Sequence, residues 1–137
     1  RRAPKELLFR VRLTYEERQV TFLCLYDSGN HLVEPFSGRP VMIVERSVAE
    51  RVLVVPPSIE DMPANGGWRL IPYDTLGGNG LLPAFVPTVV TAVLRHGEHH
   101  LPSCYVAVCD RLGRGEYSGL LGSELGEELM GKGDKAK

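Results

Sequence analysis

Leu23-Cys24-Leu25-Tyr26-Asp27-Ser28-Gly29-Asn30 is the stretch on which the fold turns. A run of apolar and β-forming residues, Val20 to Tyr26, delivers an aspartate into a tight Ser-Gly turn. Asp-Ser-Gly by itself is an ordinary turn, because Asp and Ser bond their own backbone and Gly takes φ > 0. The strand in front of it changes its meaning. A buried strand that ends on a carboxylate puts a charge where desolvation is costly, and such a cost is accepted where the group has work to do. Asp27 therefore reads as half of a catalytic carboxylate pair.

Upstream, Leu7 to Leu13 ends in a clean alternation with Phe9, Val11 and Leu13 on one face, and Tyr15 to Arg18 turns it into the strand that reaches Asp27. Downstream, His31-Leu32-Val33 precedes the turn Glu34-Pro35-Phe36-Ser37-Gly38, and Val41 to Val44 is short and continuously apolar, as a buried strand is. Ser47 is placed to cap a brief helix through Leu53, with Val48, Val52 and Leu53 on one face. Pro56 to Gly67 is a breaker-rich loop. Trp68 to Tyr73 and Leu81 to Phe85 flank Asp74-Thr75-Leu76-Gly77-Gly78-Asn79-Gly80, a hairpin whose glycine-rich tip has little to pack. Val86 to Leu94 and Leu101 to Val108 read as a further hairpin around residues 95–100. Gly122-Ser123 opens a helix, with Ser123 as cap and Leu125, Leu129 and Met130 inward.

The 137 residues make one domain, 1–130, with a polar tail at 131–137. Sixteen Lys and Arg balance 17 Asp and Glu, which gives no electrostatic case for nucleic acid as a partner. Fifteen glycines and ten prolines suit short elements and many turns, so the fold class is all-β with one or two short helices. Three cysteines cannot complete a disulfide framework and read as cytosolic thiols. No apolar run reaches the roughly 18 residues of a spanning helix, and a start at Arg1 suggests a domain excised from something longer.

Three segments in this order resemble one family. Tyr26 to Leu32 followed by Glu34 to Val41, Ile71 to Gly77 followed by Gly80 to Phe85, and Gly119 to Leu125 are together similar to the sporulation sigma-E factor processing peptidases of endospore-forming bacteria. Those are membrane-bound aspartic proteases whose protease domain is retropepsin-like, a single-lobe pepsin-type fold. The resemblance implies a bilayer-spanning amino-terminal half and a protease domain on the cytoplasmic face of the membrane in the mother cell. It implies removal of the propeptide of a sigma factor precursor, on a signal that reaches the domain through the membrane part. It also assigns roles. Ser28 braces a dimer axis and Gly29 lets a partner turn and substrate approach. Asn30 stands where pepsin-like enzymes carry Ser or Thr and many retroviral ones Ala, and its amide is expected to donate to the carboxylate, which would work against activity at neutral pH. Tyr73, Asp74, Thr75, Leu76, Gly77, Gly78 and Gly80 form a flap over the substrate, while Leu120, Leu121 and Gly122 lie behind the catalytic turn.

Aspartic proteolysis needs two carboxylates about 3 Å apart sharing a proton, one activating water and the other protonating the scissile carbonyl. Of the five aspartates, Asp27, Asp61, Asp74, Asp110 and Asp134, only Asp27 precedes Ser-Gly. The second carboxylate is therefore expected from Asp27 of a symmetry mate in a homodimer. No metal or organic cofactor is expected. Cys104 and Cys109 stand five apart and point to opposite faces of a strand, which makes them poor zinc ligands beside His99 and His100. Ser118 and Ser123 lack the G-x-S-x-G context of a serine nucleophile. The alternative from another class is a catalytically silent dimerisation or peptide-binding module of the same fold.

Overall fold

The computed structural model describes residues 2–54, 58–60, 62, 67–75 and 78–131. Its elements in chain order are β1 (Leu8–Tyr15), β2 (Arg18–Tyr26), β3 (Val41–Glu45), α1 (Arg46–Val52), β4 (Arg69–Thr75), β5 (Gly78–Phe85), β6 (Val89–Leu94), β7 (Gly97–His100), β8 (Tyr105–Cys109), β9 (Gly119–Leu121) and α2 (Ser123–Met130). The fold is all-β, a single lobe with two short helices. Its strands form one sheet in the order β4-β5-β8-β3-β9-β2-β1-β6-β7. Among the described residues no helix is long and apolar enough to cross a membrane.

The opening alternation folds as it reads. β1 and β2 pair antiparallel from Leu8↔Leu25 to Tyr15↔Arg18, and Phe9, Val11, Leu13, Phe22 and Cys24 are all buried. β3 is apolar at successive residues because both of its faces are covered. Met42 and Val44 join the main core with both helices, while Val41 and Ile43 join a smaller cluster with Ile71, Leu82 and Tyr105. β8 splits the same way, Val106 and Val108 to the main core and Tyr105 and Ala107 to the smaller one. Cys104 and Cys109 accordingly fall on opposite sides, Cys104 in the main core and Cys109 against the smaller cluster.

β9 is the keystone. It slots between β2, which it pairs in parallel from Cys24↔Gly119 to Tyr26↔Leu121, and β3, which it pairs antiparallel. Its residues alternate as a strand must, Leu121 into the main core and Leu120 toward the smaller cluster. Leu125 and Leu129 of α2 follow Leu121 into the main core, each such burial contributing about 1.5–3 kcal/mol.

The sheet corrects two expectations. Val86 to Leu94 does not pair with Leu101 to Val108: β6 pairs with β7 around a two-residue turn, Arg95-His96, and β8 pairs with β3 and β5. The polar residues taken for a turn are an edge strand, where charged side chains meet solvent and discourage pairing with other chains. The helix caps also differ. Glu45, not Ser47, precedes α1, and Gly122, not Ser123, precedes α2. The Ser123 hydroxyl is engaged elsewhere, as described below.

Between the Asp27 turn and β3, residues 33–40 fold back on themselves around Glu34. Val33 bridges Pro40, the Glu34 N–H donates to Arg39 O at 2.9 Å, and Gly38, at φ +74°, donates to Glu34 O at 2.8 Å. The Glu34 side chain is 1% exposed and accepts the N–H groups of Ser37 (2.7 Å) and Phe36 (3.2 Å). Hydrogen bonding from Ser37 above all, with Phe36 and the Arg69 charge assisting, outweighs burial and holds this carboxyl below the usual range. A depressed carboxyl stabilises the fold above the ordinary Glu titration range, and that contribution fades as the pH falls through the lowered value. Glu34→Gln is therefore expected to lower Tm at neutral pH and to flatten its fall in acid. Thermal melts of both proteins across the acid range measure this.

Candidate active site

β2 ends at Tyr26, and the next residue is seated by the strand beside it. The Asp27 N–H donates to Leu121 O at 2.8 Å, continuing the β2–β9 ladder by one residue. The turn then closes, Asn30 N–H to Asp27 O at 3.0 Å. Its far side rests on the start of α2, where the Ser123 N–H donates to Asn30 O at 3.0 Å. Gly122 makes that contact feasible. Its backbone (φ −79°, ψ −173°) suits any residue, but a Cβ there would overlap the Asn30 carbonyl oxygen. Gly126 likewise leaves room for the Tyr26 ring.

Asp27 is half-buried and lines a cleft of about 650 Å³ together with Gly29, Asn30, His31 and Leu32. Ile43, Leu82 and Leu120 give the cleft apolar surface, and Tyr73 and Asp74 bring the β4–β5 hairpin to it. Arg111 and Leu112 lie on the loop after β8, where the Leu112 N–H donates to Glu45 Oε2 at 2.7 Å. The hairpin is in register at Tyr73↔Gly80 and Asp74↔Asn79. Gly80 has its place there: a Cβ would lie 2.6 Å from the Tyr73 ring, so the ring lies across it.

Of the residues singled out in the sequence, Asp27, Gly29, Asn30, Tyr73, Asp74 and Leu120 converge on this cleft. Ser28 faces a separate depression with Tyr26 and Tyr117. Leu121 and Gly122 lie behind the turn, and Gly78 is exposed in β5 at φ +127°. Thr75 ends β4, while Leu76 and Gly77 lie outside the described residues, as do 132–137 of the polar tail and much of the loop at 56–67. The Asn30 side chain serves the turn itself: Oδ1 accepts the Leu32 N–H at 2.9 Å. Sequence reading missed His31, Leu32 and Arg111. The first two directly follow the turn and carried a signal by position. Arg111 carried none, since only the sheet brings the loop after β8 to Asp27.

Two other nucleophile chemistries meet physical objections. Cys109 lines the cleft, but burial, aided by Glu45 and Asp110, pushes its thiol up to about 11, the wrong direction for a nucleophile. Burial likewise pushes Cys104 up to about 12 and raises Cys24. All three thiols are expected to react slowly with an aromatic disulfide reagent at pH 8 in the folded protein and rapidly once unfolded, which a thiol titration with and without denaturant reads. Ser123 Oγ lies 2.7 Å from His31 Nδ1, yet the carboxylate of the group, Glu124 Oε1 at 3.3 Å, meets the serine and not the histidine. In a serine triad the carboxylate orients the imidazole. Among the described residues no cluster of three His, Cys, Asp or Glu side chains is placed to hold a metal ion.

Comparison with known proteins adds one finding. The family model described as peptidase family U4, sporulation factor SpoIIGA, matches residues 1–125. No curated protein matches the chain.

Proposed function

The chain belongs to the SpoIIGA sporulation-factor peptidase family, and from that premise we propose that it is an aspartic endopeptidase working as a homodimer, with Asp27 of each copy forming the catalytic pair. Its substrate is the precursor of a sporulation sigma factor, from which it removes the propeptide. It works at the cytoplasmic face of the membrane that anchors the rest of the protein and receives its activating signal there.

The observation that carries this reading is the seat of Asp27. A ladder bond to β9 and a brace from α2 fix the turn, and half-buried Asp27 lines a cleft of about 650 Å³, which on this reading takes an extended peptide. Paired across a two-fold axis, one such carboxylate activates water and the other protonates the carbonyl of the scissile bond. The pair titrates as a unit. Tyr73 and Asp74 would close over the peptide and exclude water.

Gly29 supports the need for a second copy. Its φ is not positive, and a Cβ would meet only Asp27 Oδ1, at an ordinary 3.8 Å. Nothing among the described residues asks for glycine there, so on this reading the space serves a neighbour: the mate's turn or the substrate. Gly29→Ala is expected to fold with an unchanged Tm and to lose cleavage at least about tenfold, since small misplacements at a reacting centre are amplified in rate. Co-expression of the variant with the precursor, beside a thermal melt, tests it. A fully active Gly29→Ala protein favours the silent-module reading or a different dimer.

A further inference from the structure

β5 and β8 part company inside the sheet. They pair only at Ala84↔Ala107 and Phe85↔Val106. Carried on, that register would set Pro83 opposite Val108 and Leu82 opposite Cys109, but Pro83 has no N–H to give, and from there β5 pairs with β4 alone. The diverging strands leave a wedge of about 410 Å³ lined by residues 81–83 and 108–111. Tyr73, Leu82, Cys109 and Arg111 line both this wedge and the Asp27 cleft, so the two cavities adjoin across a common wall. The wedge also holds two of the large apolar side chains that the fold leaves in water. Leu81, one residue before buried Leu82 and so on the other face of β5, is 44% exposed, and Ile59, from the segment before β4, is 43% exposed. Exposed apolar side chains scattered singly are ordinary; two at one cavity mark a place to bind. Charge does not compete with them. Arg46 and Arg111 are matched in number by Glu60 and Asp110, and Arg46 Nε already lies 3.6 Å from Asp110 Oδ1.

We propose that the wedge is a second pocket for the substrate polypeptide, beside the cleft and away from the scissile bond, and that it takes one large aliphatic or aromatic side chain against Leu81 and Ile59. The occupant follows from the common wall: a chain lying in the Asp27 cleft has only to pass Tyr73 and Leu82 to enter the wedge. The class of side chain follows from the lining, which has apolar area to cover and no net charge with which to select an ion. Leu81 and Ile59 are then specificity-determining residues that act on binding and not on the chemical step. The identity of the polypeptide, the sigma factor precursor, rests on the endopeptidase reading above.

Binding is read apart from cleavage with the 137-residue chain carrying Asp27→Asn, which leaves the precursor uncut. Fluorescence anisotropy of the labelled precursor compares this parent with the same protein carrying Leu81→Ser or Ile59→Ser. Both side chains are nearly half exposed, so Tm is expected to hold, and a thermal melt checks it. Kd is expected to rise about five- to tenfold in each variant, the loss of one apolar contact in a pocket. With Asp27 intact, each variant raises KM by the same factor and keeps kcat within about twofold, as removal of uniform binding does. Alanine replacement of the precursor's apolar residues, one at a time, is expected to find one position that weakens binding to the parent and adds nothing in Leu81→Ser. An unchanged Kd in both variants, or a parent that does not bind the precursor, overturns the pocket. A fall in kcat in place of the rise in KM overturns it as well, since Leu81 then acts through the hairpin. The lack of any coupled position in the precursor overturns the side-chain assignment. Should the precursor bind but stay uncut by the wild-type chain, the proposed function falls, while the Kd comparison still decides what the wedge takes.

Discussion

Asp27→Asn is expected to leave a folded protein whose cleavage of the precursor falls at least about a thousandfold, in line with removal of a general acid–base group. Folding is spared because the structural bonds of residue 27 are made by its main chain, N–H to Leu121 O and O from Asn30 N–H. The substitution changes only the side chain of this half-buried residue, and an amide cannot shed and regain the proton that the proposed mechanism requires. Asp74→Asn is the control, since Asp74 lines the same cleft from β4; a loss under about tenfold is expected there. Mixing supplies the sharper test. When equal amounts of wild-type and Asp27→Asn chains assort randomly, about one pair in four keeps both aspartates, so the fraction of active pairs falls as the square of the wild-type share. Cleavage that survives Asp27→Asn, or that is abolished by Asp74→Asn or Ser123→Ala alone, defeats the assignment and identifies the residue that replaces it.

Gly122→Val acts on the same turn from behind. Any Cβ at 122 overlaps the Asn30 carbonyl oxygen, which is backbone and cannot rotate away. Either α2 slides back, loosening Leu125 and Leu129 in the main core, or the turn lifts and carries Asp27 with it. Overpacking of this kind costs about 1–3 kcal/mol and at times more, and a displacement near 1 Å at the carboxylate lowers the rate about a hundredfold. A depressed denaturation midpoint together with lost cleavage is the expected pair of results. Retained activity would mean that Asn30 can move without disturbing the carboxylate. The backbone at 122 is unstrained, so the whole effect is one of space.

Short-range pattern carried much of the architecture. The period-two run at Phe9, Val11 and Leu13, the Asp27 turn, the apolar β3 and the inward leucines of α2 are all where local chemistry puts them. What eluded the sequence depends on partners distant along the chain. β7 looks like a turn because Gly97-Glu98-His99-His100 is polar, and it is polar because it is an edge. Leu101 to Cys104 looks like strand, but there the Leu101 N–H closes onto Val90 O and Pro102 offers no donor. Ser123 has the composition of a cap and spends its hydroxyl on His31, 92 positions away. Glu34 gave no sign that it is buried, since its partners are the N–H groups of its own loop.

The position of β9 has a bearing on biosynthesis. Asp27 leaves the ribosome some ninety residues ahead of the strand that seats it, Gly119 to Leu121. Closing so long a loop is slow and comes late in folding. Until β9 has emerged and threaded between its two neighbours, a nascent or truncated chain lacks the ladder bond that seats the Asp27 turn.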